Sequence, residues 1–138
     1  MKLTTKSFLF LISIFSTVIL IGCAGGGLSP EYSTYEKTVR NQMQEMSNVL
    51  FAGHNSEFMS KYVDPSYISS MGGLDKALLQ FSNSEQQLLY RVLKIAQNVT
   101  PFYDENTKTL TYTASIAKPL AFTLKNGKWY MQGDWFRN

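Results

Sequence analysis

From Pro30 to about Val99 the apolar residues of this chain recur at intervals of three and four, and from Leu110 onward they recur at intervals of two. A hydrophobic period that changes once, from that of a helix to that of a strand, places the helices first and the strands last. That order reads as α+β, with N-terminal helices packed on one face of a curved antiparallel sheet of three to four strands.

The helical part is punctuated clearly. Ser29-Pro30-Glu31 is a helix start, with Ser as N-cap, Pro in the first turn and an acid behind it. Tyr32, Tyr35, Val39, Met43, Met46 and Leu50 lay one stripe along a helix of about 22 residues, which Gly53 ends. A second helix is expected from Asn55 to Tyr62, broken by Asp64-Pro65, and a short apolar turn around Tyr67, Ile68 and Met71 is stopped by Gly72-Gly73. Leu74 to Phe81 predicts a further helical segment. Ser84-Glu85-Gln86-Gln87 resembles a capping box for the next helix, whose buried stripe would be Leu88, Val92, Ile95 and Val99, widened by Leu89, Leu93 and Ala96.

The strand part is equally patterned. Val99 to Tyr103 reads as a first strand and Asp104 to Thr107 as its turn. Leu110, Tyr112, Ala114 and Ile116 then alternate with hydroxyl residues, and Leu120, Phe122 and Leu124 alternate up to Lys125-Asn126-Gly127-Lys128. Asn-Gly predicts a two-residue type I′ hairpin, because both of its central positions need positive φ. That turn sets the register: Lys125 opposite Lys128, Leu124 opposite Trp129, Phe122 opposite Met131 and Leu120 opposite Gly133. The apolar members share one face with Trp135, while Thr123, Tyr130, Gln132 and Asp134 occupy a wet opposite face.

The first 29 residues have a different character. Lys2 and Lys6 precede an uncharged run from Ser7 to Ile21, too short for the roughly 20 apolar residues of a membrane span and shaped like a secretory signal. Removing Lys2 and Lys6 with it lowers the basic count from 13 to 11 against 10 acids, a net charge of +1. The remaining basic residues form no run, so nucleic acid is not an expected partner. The expected organisation is a cleaved segment at 1–22, a modified cysteine with a glycine tether at 23–29, and one α+β domain at 30–138.

Cys23 is the one cysteine in the chain, so no internal disulfide is available. It lies in Leu20-Ile21-Gly22-Cys23, which resembles the lipobox of bacterial lipoproteins. The resemblance implies a diacylglyceryl group thioether-linked to Cys23, cleavage before it, and acylation of the new amino terminus, a palmitate-bearing membrane anchor. Ala24, where an Asp would imply retention at the inner membrane, implies the outer membrane, facing the periplasm of a Gram-negative cell. Two or three acyl chains give durable attachment where one gives only marginal binding, and Gly25 to Gly27 make a pliant tether. An uncleaved signal anchor is the main alternative; a catalytic thiol would need a pKa-lowering neighbour, and none adjoins Cys23.

The mature part, with its long first helix, the Tyr62-to-Ile68 turn and a meander ending in Asn-Gly-Lys-Trp-Tyr at 126–130, is similar to the nuclear-transport-factor-2-like superfamily. The similarity implies a conical pocket between helices and sheet, with Tyr67, Tyr112, Phe122, Trp129, Met131 and Trp135 as ligand-binding walls; the residue types by themselves are equally those of a core. His54 and Asp64 are the weak catalytic candidates, set against a solvated loop histidine and a helix-ending Asp-Pro turn. No zinc set, calcium loop or phosphate cradle is present in the sequence, and no cofactor is implied. These features favour a non-enzymatic envelope lipoprotein that binds a protein or an apolar small molecule. The alternatives are an isomerase- or dehydratase-like enzyme using Asp64 or His54 with Tyr67 or Tyr112, and an inhibitor or immunity protein presenting Asp104–Lys108 or Lys125–Lys128.

Overall fold

The computed structural model describes residues 30–137; the apolar leader, Cys23 and the Gly25–Gly27 tether lie outside the described residues. Among these residues five α-helices precede four strands, an α+β architecture. The helices are α1 (Pro30–Phe51), α2 (Asn55–Tyr62), α3 (Pro65–Ser70), α4 (Leu74–Gln80) and α5 (Asn83–Ala96). The strands β1 (Phe102–Asp104), β2 (Thr109–Tyr112), β3 (Leu120–Lys125) and β4 (Lys128–Met131) form an antiparallel meander in that order, followed by a 3-10 helix at Gly133–Phe136.

Helix α1 buries Tyr32, Val39, Met43, Met46 and Leu50, as its apolar spacing requires, with Ser47 among them because its hydroxyl donates to the Met43 carbonyl. Its two halves do different work. The C-terminal half packs on α5, where Gln97 Nε2 donates to Ser47 Oγ at 3.3 Å and the Phe51 and Tyr90 rings lie 6.0 Å apart. The N-terminal half packs on the sheet: Tyr35 meets Trp129 edge-on at 5.2 Å and Gln42 Nε2 donates to the Trp129 carbonyl at 3.1 Å. Gly53, at φ +74, ends the helix with its N–H on the Leu50 carbonyl.

The start of α5 departs from expectation. Its N-cap is Ser82, whose hydroxyl accepts from Glu85 N–H while the Glu85 carboxylate accepts from Ser82 N–H, so the capping box is Ser82-Asn83-Ser84-Glu85 and begins two residues before the one predicted. Ser82→Ala is expected to lower stability by about 1 kcal/mol in chemical denaturation, the usual cost of losing such a cap. The buried stripe also rotates: Leu89, Val92, Leu93 and Ala96 are buried, whereas Ile95 is exposed and Leu88 and Val99 are half-buried. The helix faces α1 along its 89–93–96 line, and the wider predicted stripe straddled that face and its border.

The Asn126-Gly127 turn has both residues at positive φ, and the pairs Lys125–Lys128, Leu124–Trp129 and Phe122–Met131 form as predicted. The fourth predicted pair, Leu120 with Gly133, does not, and Trp135 does not continue the alternation. After Met131 the chain leaves the strand and turns into the 3-10 helix, because Gly133 sits directly against the Tyr67 ring and Trp135 is carried over Lys118. Other predicted strands are shorter than expected: pairing of β1 begins at Phe102, and β2 ends at Tyr112 before a loop with Ser115 at φ +60.

The far edge of β4 is met by Val63, which bridges Met131 in parallel, with Asp64 N–H donating to the Met131 carbonyl at 2.9 Å. This contact locks the α2–α3 junction to the sheet and sets the position of the site described next.

Candidate functional site: the polar cleft at Asp64 and Lys125

Asp64 follows Val63, the C-cap of α2, and begins α3. It is the N-cap of α3, its Oδ1 accepting from Ser66 N–H at 2.9 Å, with Pro65 in the first turn where a missing N–H costs nothing. Its other oxygen, Oδ2, pairs with the Lys125 ammonium at the end of β3. Burial alone would raise the Asp64 pKa, but the Lys125 hydrogen bond and the Ser66 N–H outweigh it and hold the carboxyl below its ordinary value.

The sign of that shift gives a pH dependence. A carboxyl whose folded pKa lies below its unfolded value of about 3.9 stabilises the fold at pH above that value and loses the contribution as pH falls through the folded pKa. Asp64→Ala is therefore expected to cost about 1–2 kcal/mol near neutral pH, mostly as the lost cap. The gap between variant and wild type should narrow as pH falls below the unfolded value of about 3.9 and on through the lower folded one, in urea titrations repeated across pH.

Around this pair the outer face of the sheet, α3 and the 3-10 helix enclose a cleft of about 420 Å³. Its floor is a ladder of hydroxyl and amide groups crossing three segments. Thr109 Oγ1 and Thr123 Oγ1 are 3.2 Å apart, and Gln132 Nε2 donates to Thr123 Oγ1 at 2.7 Å. Thr107 lines one side and Ser66, Tyr67 and Ser70 the other. The loops at Asp104–Lys108 and Lys125–Lys128 come together here, since Leu124 N–H donates to the Lys108 carbonyl at 3.0 Å. With Asp64 and Lys125 paired, the cleft presents hydrogen-bonding groups rather than a strong field of one sign.

The sequence-predicted site residues separate into groups. Asp64 and Tyr67 share the polar cleft, where the Tyr67 ring is held by stacking on Phe136 at 5.2 Å. His54 is elsewhere, exposed at the entry to α2 with Nδ1 3.6 Å from Glu57 Oε2. Tyr112, Phe122 and Met131 are buried without residual exposure and Trp129 keeps 3%, all members of the central core cluster. Trp135 lies apart from Trp129, bordering a smaller cleft with Ala121 and Gln132 under the Lys118 ammonium, 5.2 Å from its ring. In the sequence Thr107 and Lys125 stand out only as members of the two candidate presenting loops, and Thr109, Thr123 and Gln132 only as polar members of the strand alternation, with nothing that joins them into one site. The signal that could have found them is the polar half of the alternation, Thr109 and Thr123 in adjacent strands.

Tyr112 carries one anomaly. Its hydroxyl is buried with no hydrogen-bond partner among the described residues, and burial pushes its pKa far above the ordinary value. Removing an unpaired buried hydroxyl removes a desolvation cost. Tyr112→Phe should leave stability unchanged or raise it by about 1 kcal/mol in denaturant unfolding; a comparable loss would reveal a partner for the hydroxyl.

Compared with known proteins, the chain matches no protein-family model, no curated protein and no solved structure. Among the described residues no helix is long and apolar enough to cross a membrane.

Proposed function

We propose that this chain is a bacterial envelope lipoprotein, anchored through Cys23 to the outer membrane on its periplasmic side, whose domain is a non-enzymatic module binding a protein partner in the Asp64–Lys125 cleft. The lipobox at Leu20–Cys23 supports the anchor, with the similarity of the mature part to the nuclear-transport-factor-2-like superfamily kept as a sequence resemblance. The observation that carries the choice of a protein partner is the occupancy of the apolar sheet face. Tyr112, Phe122, Trp129 and Met131 are all buried in one core cluster with residues of α1 and α2, which favours the surface cleft over a conical pocket for an apolar small molecule.

Asp64 fits a binding role better than an acid–base one. Both carboxylate oxygens are engaged, and the group is held ionised, whereas a general acid needs a pKa raised toward the working pH. The two loops that would serve an inhibitor or immunity protein border this cleft through Thr107 and Lys125, so an envelope-acting enzyme is the partner class this geometry favours.

The anchor is tested by labelled palmitate: wild type should incorporate it and Cys23→Ser should not, and equal labelling would reject the lipobox reading. The cleft is tested by photo-crosslinking residues placed at Thr107 and Ser70 in cells, with Ser33 on the exposed face of α1 as comparison. A discrete protein adduct from the cleft positions alone is the expected result; adducts equally strong from Ser33, or none from the cleft, would overturn the assignment.

A further inference from the structure

The first turn of α1 is tied to the start of β1. Tyr32 OH donates to the Pro101 carbonyl at 3.0 Å, and the Tyr32 and Tyr35 rings lie 6.0 and 5.8 Å from the Tyr103 ring. The end of the domain where the tether enters is therefore built from aromatic residues. Beside them Phe102, on the edge strand β1 at the end of the sheet, is 71% exposed. It alternates with Tyr103 and pairs with Thr111, so its ring projects from the face of the strand that α1 does not cover.

We infer that this aromatic end, with Phe102 at its tip, rests on the lipid bilayer and fixes the orientation of the domain on the membrane. The inference rests on the lipid anchor at Cys23 proposed above. Residues 24–29 reach at most about 20 Å when fully extended. That length keeps Pro30, and with it Pro101 and Phe102, close to the headgroups. Helix α1, at 22 residues, is about 33 Å long by its rise per residue, so in an orientation with Phe102 on the surface and the helix axis directed away from it, Phe51 at the other end stands clear of the lipid although it too is exposed.

Tyr32 is buried, so the side chains this end can offer to lipid are the exposed Phe102 ring and the half-buried Tyr35, whose hydroxyl donates to Glu31; an apolar ring with a hydrogen-bonded hydroxyl suits the headgroup level. Charge does not drive the contact. Lys108, Glu31, Asp104 and Glu105 lie at this end, with no excess of cations to select anionic lipid. The partner is thus a zwitterionic lipid surface, met by Phe102 and the half-buried Tyr35.

The test uses the full chain, produced with its leader in a lipoprotein-processing bacterium and reconstituted in phosphatidylcholine vesicles. Phe102→Cys and Phe51→Cys, both at exposed positions, are labelled with an environment-sensitive fluorophore, and the vesicles carry a nitroxide high on the acyl chain. The label at 102 is expected to lose most of its fluorescence and the label at 51 to keep it. Equal quenching at the two positions, or quenching only at 51, overturns the inference. Thiol titration of denatured wild type separates this from failure of the anchor. A blocked Cys23 with an unquenched label at 102 rejects the orientation alone, whereas a free Cys23 rejects the anchor and the orientation with it.

Discussion

Replacing Trp129 with alanine should lower the stability of the domain by about 3–5 kcal/mol, the range for truncating a large aromatic in a packed core. The expectation follows from what the ring touches. It is 3% exposed, meets Tyr35 edge-on at 5.2 Å, and lies over the strand pair in which Leu124 is its partner. It is also where α1 is clamped to the sheet, since the Trp129 carbonyl accepts from Gln42. A domain of this size has a total stability of roughly 5–15 kcal/mol, so the variant would be close to unfolding under mild conditions. Urea denaturation of Trp129→Ala beside Tyr130→Ala checks it, because Tyr130 sits on the opposite face of the same strand and should cost far less. If Trp129 instead lined an open conical pocket, the two variants would lose similar, small amounts.

Gly133→Ala should be the second severe change, and it tests packing from the other direction. A Cβ at this position would lie closer than 3.0 Å to Tyr67 Cβ, Cγ and Cδ2. Those atoms are next to the α3 backbone and cannot swing aside as the end of a long side chain could. Tyr67 is also held from behind by stacking on Phe136. The added methyl must therefore push α3 away from the 3-10 helix, at a cost of about 1–3 kcal/mol or somewhat more. Because α3 is one wall of the polar cleft, Gly133→Ala should also weaken crosslinking from Ser70, whereas the neighbouring Asp134→Ala, exposed and paired with the likewise exposed Arg137 at 3.4 Å, should leave stability within about 0.5 kcal/mol of wild type. A melting curve for each variant distinguishes the two.

Local chemistry made much of this fold legible. The limits of α2 followed from Gly53 and Asp64-Pro65, and the β3–β4 register followed from Asn126-Gly127, whose positive φ values leave one way to pair the strands. Where prediction failed, a competing group lay close by. Ser82 and Ser84 both precede Glu85, and the box closes on Ser82 because it stands three positions before the carboxylate that returns to its N–H. Ile95 carries the right period but the wrong angle, a choice made by where α1 lies against α5.

The candidate site was less legible than the fold. Asp64 stood out as an acid before proline, but its partner Lys125 is 61 positions away and reads in the sequence as one of two lysines flanking a hairpin. Trp129 and Trp135 have the same parity and were expected on one face, yet a short 3-10 helix separates their surroundings.

By itself the sequence determined the order of helices and strands and the β3–β4 hairpin, because each depends on residues within a few positions of one another. Only the tertiary structure decided that α1 docks on the sheet at Trp129, that Asp64 meets Lys125 in a polar cleft, and that the first turn of α1 is tied to the start of β1 beside Phe102. Those outcomes depend on how α1 and the α2–α3 junction dock against the sheet, and docking is set by the shapes of side chains distant in sequence, which a periodicity does not encode.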